Sequence, residues 1–432
     1  MKVLSVILIG AGGRGVAYVS RMKEMPEKFK IVGVAEPLEG RRKMIQEMFD
    51  LPDENCYASW EEILQRPKFA DMAVIGTQDN MHYGPTLMAI ERGYDLLLEK
   101  PISPDAQECI DVALAAKKKG VSVMVCHVLR YTPFYKTIKK AIMDGMIGDV
   151  MTAMFVEGVG HVHNSHSFIR GDWHDETVCA PMILAKCCHD MDIIQWLLDK
   201  KCKKVTSFGK RAYFVPENAP EGAPVRCADG GCPIADECPY NCKKVYFNLS
   251  EADQWYRRSA SKGVASGWFP TDEEMMEALK TTDYGLCVFH ANQTVVDRQV
   301  INLEFEDGVA VNFNMNPFNQ GGRYLRLFGT KGELYAFAHD TEITVFSFAD
   351  RQIHKLSVVK TEETIAGGHG GGDDGIVEEL YDYLGDDYQG FCAGDVVTST
   401  RNHMICFAAE EARLNNTIVD FDEYMSRFGL EN

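Results

Sequence analysis

An apolar run, Val3-Leu4-Ser5-Val6-Ile7-Leu8-Ile9, breaks into Gly10-Ala11-Gly12-Gly13-Arg14-Gly15 and resumes as Val16-Ala17-Tyr18-Val19. This order of strand, glycine turn and helix start constrains the fold more than any other stretch. Gly10, Gly12 and Gly15 have the G-x-G-x-x-G spacing of a dinucleotide-binding turn. Gly10 makes the tight exit from the strand. Gly12 lets backbone approach a pyrophosphate, and Gly15 lets the helix pack on the strand. The helix start offers free N–H groups and a positive dipole end to phosphates. A second apolar run, Lys30-Ile31-Val32-Gly33-Val34-Ala35, ends in Glu36. An acidic residue about 20 positions past the last glycine can accept hydrogen bonds from an adenosine ribose. Its charge opposes a 2′-phosphate, which favours NAD over NADP, although Arg41 and Arg42 lie close by.

Strand and helix signals alternate onward to Cys126. Asp71–Gly76, Asp95–Leu98 and Val121–Val125 read as further strands, with helices predicted over Glu39–Phe49, Tyr83–Arg92 and Pro104–Lys119. Such alternation predicts a parallel, doubly wound α/β domain over residues 1–126, a Rossmann domain. From 127 to 432 the pattern changes. Strand-like runs joined by turns such as Asp307-Gly308 predict an α+β domain with a large, mostly antiparallel open sheet. Between about 216 and 283 periodicity fails while Pro, Gly and Cys cluster, which marks an insertion.

The formal charge of −18 and the lack of a basic block argue against nucleic acid or an anionic membrane surface as partner. No apolar run approaches a membrane span, and the first strand leads into glycines and no cleavage site. These features predict a cytoplasmic protein, in which most of the 14 cysteines are buried thiols.

The fourth apolar strand runs into Glu99-Lys100-Pro101. Ligands of open α/β sheets bind beyond the carboxyl ends of the strands. Lys100 is therefore placed to hydrogen-bond a substrate hydroxyl and take part in proton transfer. Together with Gly10–Gly15, Thr77-Gln78-Asp79-Asn80-Met81-His82, Arg130-Tyr131-Thr132-Pro133 and Gly145–Val150, this stretch resembles the Gfo/Idh/MocA oxidoreductase family. The resemblance spans the chain outside the insertion and implies an NAD(P)-dependent enzyme acting on sugars or cyclitols. It implies a cofactor site of Gly10, Gly12, Gly13, Arg14, Gly15, Glu36, Thr77, Asp79, His82, Glu99, Lys100 and His127. It also implies that Arg130, Tyr131, Asp192 and the glycine-flanked His369 lie toward the substrate.

The family carries an Asp and, four residues on, a His on one helix. Here His189 takes the His position, Ala185 stands where the Asp belongs, and Lys186 is its neighbour. The expected catalytic set is Lys100, His189 and Lys186. Histidine, with an unperturbed pKa near 6.5, suits removal of a hydroxyl proton. Lysine as a cation stabilises a developing alkoxide. Two facing ammonium groups depress each other's pKa values and suit an anionic substrate such as a sugar acid. The stretch His161-Val162-His163-Asn164-Ser165-His166-Ser167-Phe168-Ile169-Arg170 reads as a substrate loop, with His166, Arg170 and the following Trp173 as contacts.

Cys227, Cys232, Cys238 and Cys242 have a C-x4-C-x5-C-x3-C spacing that suits a structural zinc site, with free thiols as the alternative. The expected function is an NAD-dependent dehydrogenase of a secondary hydroxyl in a sugar, sugar acid or cyclitol. A redox-neutral, NAD-dependent glycosidase and a non-catalytic NAD-binding regulator are the alternatives. A homo-oligomer, dimer or tetramer, follows from the resemblance, through the open sheet.

Overall fold

The structure is a computed structural model that describes residues 2–250, 253–266, 269–359, 368–385 and 388–429. Its first layer is built from β1 (Leu4–Ile9), α1 (Gly13–Lys23), β2 (Phe29–Ala35), α2 (Glu39–Phe49), β3 (Cys56–Tyr57), α3 (Trp60–Gln65), β4 (Met72–Ile75), α4 (Tyr83–Glu91), β5 (Asp95–Leu98), α5 (Ala106–Lys119) and β6 (Val123–Val125). The strands form a six-stranded parallel sheet in the order β3-β2-β1-β4-β5-β6. Helices cover both faces, so β4 is buried along its whole length, in keeping with its unbroken apolar sequence. Helix limits follow local chemistry. The Asp105 side chain accepts the Glu108 N–H at the start of α5, and Gly120 ends that helix with φ 71°. The strand order reverses between β1 and β4, which opens a crevice at their carboxyl ends.

The chain then continues through α6 (Pro133–Met143), β7 (Val150–Gly158), α7 (His161–His163), α8 (Met182–Ala185), α9 (Cys188–Leu198) and β8 (Cys202–Lys210). The insertion follows with α10 (Cys242–Phe247), α11 (Trp255–Ala260) and α12 (Asp272–Thr281). The remaining elements are β9 (Arg298–Phe305), β10 (Ala310–Asn316), β11 (Gly322–Gly329), β12 (Gly332–Phe337), β13 (Glu342–Ser347), β14 (Ile353–Ser357), α13 (Gly368–Tyr383), α14 (Val396–Asn415), β15 (Val419–Asp420) and α15 (Phe421–Ser426).

These strands form a nine-stranded sheet, β14-β13-β12-β11-β7-β10-β9-β8-β15, antiparallel except where β7 meets β10. Alternation fixes its faces: Val311, Phe313 and Met315 of β10 point into the core, while the intervening asparagines face outward. The opposite face is open, with Phe208 65%, Tyr335 53% and Met151 50% exposed. No described helix is long and apolar enough to cross a membrane.

Two sequence expectations change. The His161–Arg170 stretch is no surface loop. After α7 it forms a π-helix, Asn164–Arg170, whose residues are all buried. The insertion is also less irregular than its sequence. Its three short helices enclose a small apolar core around Tyr246, Met275 and Leu279.

Candidate active site

The glycine turn has the shape its spacing predicts. Gly10 has φ +90°, and a Cβ there would lie 2.7 Å from the Gly76 carbonyl carbon. A Cβ on Gly15 would lie 2.2 Å from the Gly10 oxygen, so α1 packs on the turn only because residue 15 has no side chain. In contrast, a Cβ on Gly13 would meet nothing within 4 Å. The first turn of α1 carries no acidic residue and no side-chain cap. Its open N–H groups therefore fit a pyrophosphate without a competing anion. Glu36 is buried at the end of β2. It accepts from Ala11 N at 2.7 Å and Leu38 N at 3.0 Å, which holds its carboxylate beside the turn. Arg42 donates to the Glu36 carbonyl at 2.5 Å and is turned onto backbone.

Arg14 leaves the phosphate side of the turn. Its Nε donates to Glu99 Oε1 at 2.8 Å, and its two terminal nitrogens hold the Asp373 carboxylate at 2.7 Å each. Tyr18 donates to the same Glu99 oxygen at 2.5 Å. Burial pushes the Glu99 carboxyl up, yet Arg14 and Lys100 hold it below the usual carboxylate range. This network clamps α1 and β5 against α13. Glu99 Oε2 also accepts from Lys100 N at 2.9 Å, which orients the next residue.

Lys100 follows β5 at the reversal crevice, before a cis Pro101. Its Nζ donates to the Ala185 carbonyl at 3.1 Å. The lysine thus meets α8 at the position where the resemblance expects an aspartate, and it finds backbone there. Lys186 Nζ lies 3.4 Å from Glu157 Oε1 at the end of β7. Arg323 Nε lies 2.8 Å from Glu157 Oε2 and donates to Asp190 Oδ1 at 2.8 Å. Burial, followed by the Glu157 charge, pushes the Asp190 carboxyl up against the pull of Arg323. His189 is 6% exposed on α9, with the His127 ring edge-on at 5.9 Å. Lys100 thereby meets the backbone of α8 just past the carboxyl end of β5, and Lys186 and His189 follow Ala185 in the chain.

Behind them lies a second layer. His127 is fully buried, and neither ring nitrogen has a hydrogen-bond partner among the described residues. Burial first, then Arg130 and Lys100, push its pKa well down, so it is neutral. His403 on α14 packs edge-on to His127, donates to the Ser399 carbonyl at 2.7 Å and accepts Ile102 N at 3.1 Å. Burial pushes His403 down to about 3. His82 bridges the Pro101 and Thr77 carbonyls at 2.6 and 3.3 Å. His82 and His403 thus grip the turn after Lys100 from two sides.

The other expected ligands are placed as follows. Arg130 and Asp192 bind each other through two hydrogen bonds, 2.6 and 2.7 Å, with Asn402 on Asp192 Oδ1 at 2.6 Å. They form a buried pair beside His127. Tyr131 lies in the core under α13, its hydroxyl on Met124 Sδ at 3.7 Å. Thr77 closes its own turn onto Met81 O at 3.2 Å. Asp79 accepts from Trp173 Nε1 at 3.0 Å, which ties the parallel sheet to the second domain. His166 is buried among Tyr246, Tyr256 and Tyr284, and Arg170 donates to the Leu286 and Tyr240 carbonyls. The side chain of His369 lies outside the described residues. Glu157, Asp190, Arg323 and His403 have no sequence signal of their own, apart from a carboxylate, Glu157, closing an otherwise alternating strand.

The expected zinc site of Cys227, Cys232, Cys238 and Cys242 is corrected. Among the described residues no three His, Cys, Asp or Glu side chains converge to hold one ion. Cys242 is fully buried in the apolar core of the insertion.

A model of the oxidoreductase family's NAD-binding Rossmann fold matches residues 4–127, and one of the Gfo/Idh/MocA C-terminal domain matches residues 135–335. The chain belongs to the Gfo/Idh/MocA family. It is an NAD(P)-dependent oxidoreductase of that family, with the dinucleotide site in its Rossmann domain. YteT of Bacillus subtilis (strain 168), named as an oxidoreductase, is 23% identical over 400 residues, which cover 87% of this chain and 88% of YteT. A 2,7-anhydro-N-acetylneuraminate hydratase of Mediterraneibacter gnavus is 26% identical over 218 residues, covering 48% of this chain and 53% of that protein. The crystal structure of an NAD binding oxidoreductase from Klebsiella pneumoniae superimposes with a TM-score of 0.70 at 17% identity, covering 97% of this chain and 99% of that one. That likeness shows the shared fold.

Proposed function

We propose that this Gfo/Idh/MocA protein is an NAD-dependent oxidoreductase of a secondary hydroxyl in a polyhydroxylated, anionic carbohydrate. The observation that carries the reading is Lys100, its Nζ on the Ala185 carbonyl, beside Lys186 and His189. Bound nicotinamide dinucleotide supplies the two-electron hydride acceptor. His189 takes the hydroxyl proton on a ring nitrogen, the role of a general base. Lys100 donates to the same oxygen and stabilises the negative charge that develops on it. Ala185 removes the anion that a family aspartate would present, and Lys186, ion-paired to Glu157, follows it in the chain. That loss of negative charge supports an acidic sugar, and one relative's name contains such a sugar. Glu36 beside the turn supports NAD over NADP, because a 2′-phosphate would meet a carboxylate.

A second reading is a redox-neutral conversion, in which the electrons return to the same sugar. Ala185 and the hydratase relative favour it. One experiment separates the two. The protein is incubated with NAD+ and a panel of sugars, sugar acids and cyclitols, and NADH and products are both followed. Stoichiometric NADH with a keto product is expected. Product without NADH would establish the redox-neutral reading, and no conversion with tight NAD+ binding would leave a non-catalytic regulator. The exposed sheet face supports self-association of the chain, and sedimentation tests it: a dimer or tetramer is expected, and a monomer at micromolar concentration would contradict it.

A further inference from the structure

Two cysteines of the insertion lie against each other as free thiols. Cys242 N donates to Cys227 Sγ at 3.4 Å, and the Cys242 thiol hydrogen-bonds to the same sulfur. Backbone pairing fixes both partners. Arg226 and Leu286 form an antiparallel bridge, and Gly230 N closes on the Cys227 carbonyl at 3.2 Å. The Asn241 side chain accepts Lys243 N at 2.9 Å, which caps α10 at Cys242. The surroundings of the two sulfurs differ. Cys242 is fully buried in the apolar core of the insertion, whereas Cys227 is partly exposed and lines a cavity of about 330 Å³.

Arg170 lines the same cavity. It is 2% exposed, and Nε and one terminal nitrogen hold the Leu286 and Tyr240 carbonyls. The other terminal nitrogen, Nη1, is buried without a hydrogen-bond partner among the described residues. A buried guanidinium held by neutral carbonyls calls for negative charge nearby, and a thiolate at Cys227 supplies it. The Cys242 thiol, and then its backbone N–H, hold the Cys227 thiol below its ordinary range against burial, and Arg170 and Lys243 add to that pull. Cys242 is pushed up in turn. Cys238 and Cys287 also line the cavity, but burial pushes both of those thiols up. One nucleophilic sulfur thus faces the cavity, with a protonated thiol behind it.

We propose that Cys227 and Cys242 are a reactive dithiol, in which Cys227 attacks a hydroperoxide and Cys242 resolves the product to a disulfide. In the first step the Cys227 sulfur bonds to one peroxide oxygen as the O–O bond breaks. The other oxygen takes up a proton and leaves as water or an alcohol, and Cys227 is a sulfenic acid. In the second step the Cys242 sulfur bonds to the Cys227 sulfur, and the hydroxyl leaves as water with the Cys242 proton. Two electrons pass from the pair of sulfurs to the peroxide, and a dithiol reductant returns them. The resolving thiol already touches the sulfur it must attack, so the second step outruns further oxidation of Cys227. The disulfide fastens α10 to the turn beside the Arg226–Leu286 bridge, whose Leu286 carbonyl also holds Arg170 of the π-helix.

The test uses the full-length protein, reduced and kept with a chelator, and hydrogen peroxide as the probe. Peroxide is added in steps, and the products are read by intact mass and by peptide mapping after the remaining thiols are alkylated. The first event expected is loss of two hydrogen atoms per chain with a Cys227–Cys242 cross-link, reversed by dithiothreitol. Cys227→Ser should slow the first oxidation by at least about tenfold. Cys242→Ala should stop at a sulfenic acid on Cys227, which dimedone traps. The mapping on the parent needs no variant, so the assignment of the cross-link does not depend on how Cys242→Ala folds. A first disulfide between other cysteines, over-oxidation of Cys227 with Cys242 untouched, or a Cys227→Ser variant as reactive as the parent would overturn the proposal. The readout is the state of two sulfurs, so it stands or falls apart from turnover.

Discussion

Asp192→Asn tests whether the Arg130–Asp192 pair is structural or a substrate contact. The side chains are 4% and 0% exposed and share two hydrogen bonds of 2.6 and 2.7 Å. Burial pushes the Asp192 carboxyl up while Arg130 pulls it down. The variant removes the negative charge and leaves a buried guanidinium with the Ala393 carbonyl at 3.1 Å and the Trp196 ring at 5.8 Å. Breaking one side of such a pair costs about 3–5 kcal/mol. Replacing both partners removes both desolvation penalties, so Arg130→Met with Asp192→Leu is expected within about 2 kcal/mol of the parent. The assay is urea unfolding of the parent, Arg130→Met, Asp192→Leu and the double variant as a double-mutant cycle, with Asp192→Asn measured alongside. A structural pair gives a large coupling energy and a double variant with near-parental kcat/KM. A single variant that costs less than about 1 kcal/mol, or a stable double variant that has lost activity, would refute the reasoning.

Three further outcomes are expected. Asp71 is held at about 2: burial raises it, but Lys2 and the Ser5 N–H and hydroxyl prevail. A depressed carboxylate stabilises the fold above its unfolded pKa and loses that contribution as pH falls through its folded one, so Asp71→Asn should cost about 1–2 kcal/mol at neutral pH. The gap should close between about pH 4 and pH 2, as unfolding curves against pH will show. Gly13→Ala should keep stability within about 0.5 kcal/mol yet weaken NAD+ binding, while Gly15→Ala should lose about 3 kcal/mol or more; equal effects in calorimetry would contradict the turn geometry. Glu36→Ser should shift the ratio of NADP+ to NAD+ affinity upward by about tenfold, about 1.4 kcal/mol; an unchanged ratio in fluorescence titrations would remove the carboxylate as discriminator.

Much of the site was legible because its signals are local. Glycine spacing, an apolar strand ending in Glu36, and Lys100 just past β5 each sit within a few residues of the element that places them. The departures are long-range. Arg14 points to Asp373, across nearly the whole chain, because a partly buried guanidinium seeks a carboxylate and α13 brings one. Arg130 and Asp192 satisfy each other for the same reason. The two-residue strand β3 is too short to carry a period. The π-helix 164–170 has no local pattern that separates it from a polar loop, since its burial comes from the insertion packed over it.

The central claim is that Lys100 acts on the reacting hydroxyl and is not needed to hold the dinucleotide. The most direct measurement compares Lys100→Met with the parent in two readings on the same preparation: NAD+ affinity by titration, and the single-turnover rate with the best substrate of the panel. The account predicts NAD+ affinity within about threefold of the parent and a rate at least about 100-fold lower, in the range of lost proton-transfer and charge-stabilising groups. An unchanged rate, or a loss explained wholly by weaker NAD+ binding, would contradict it.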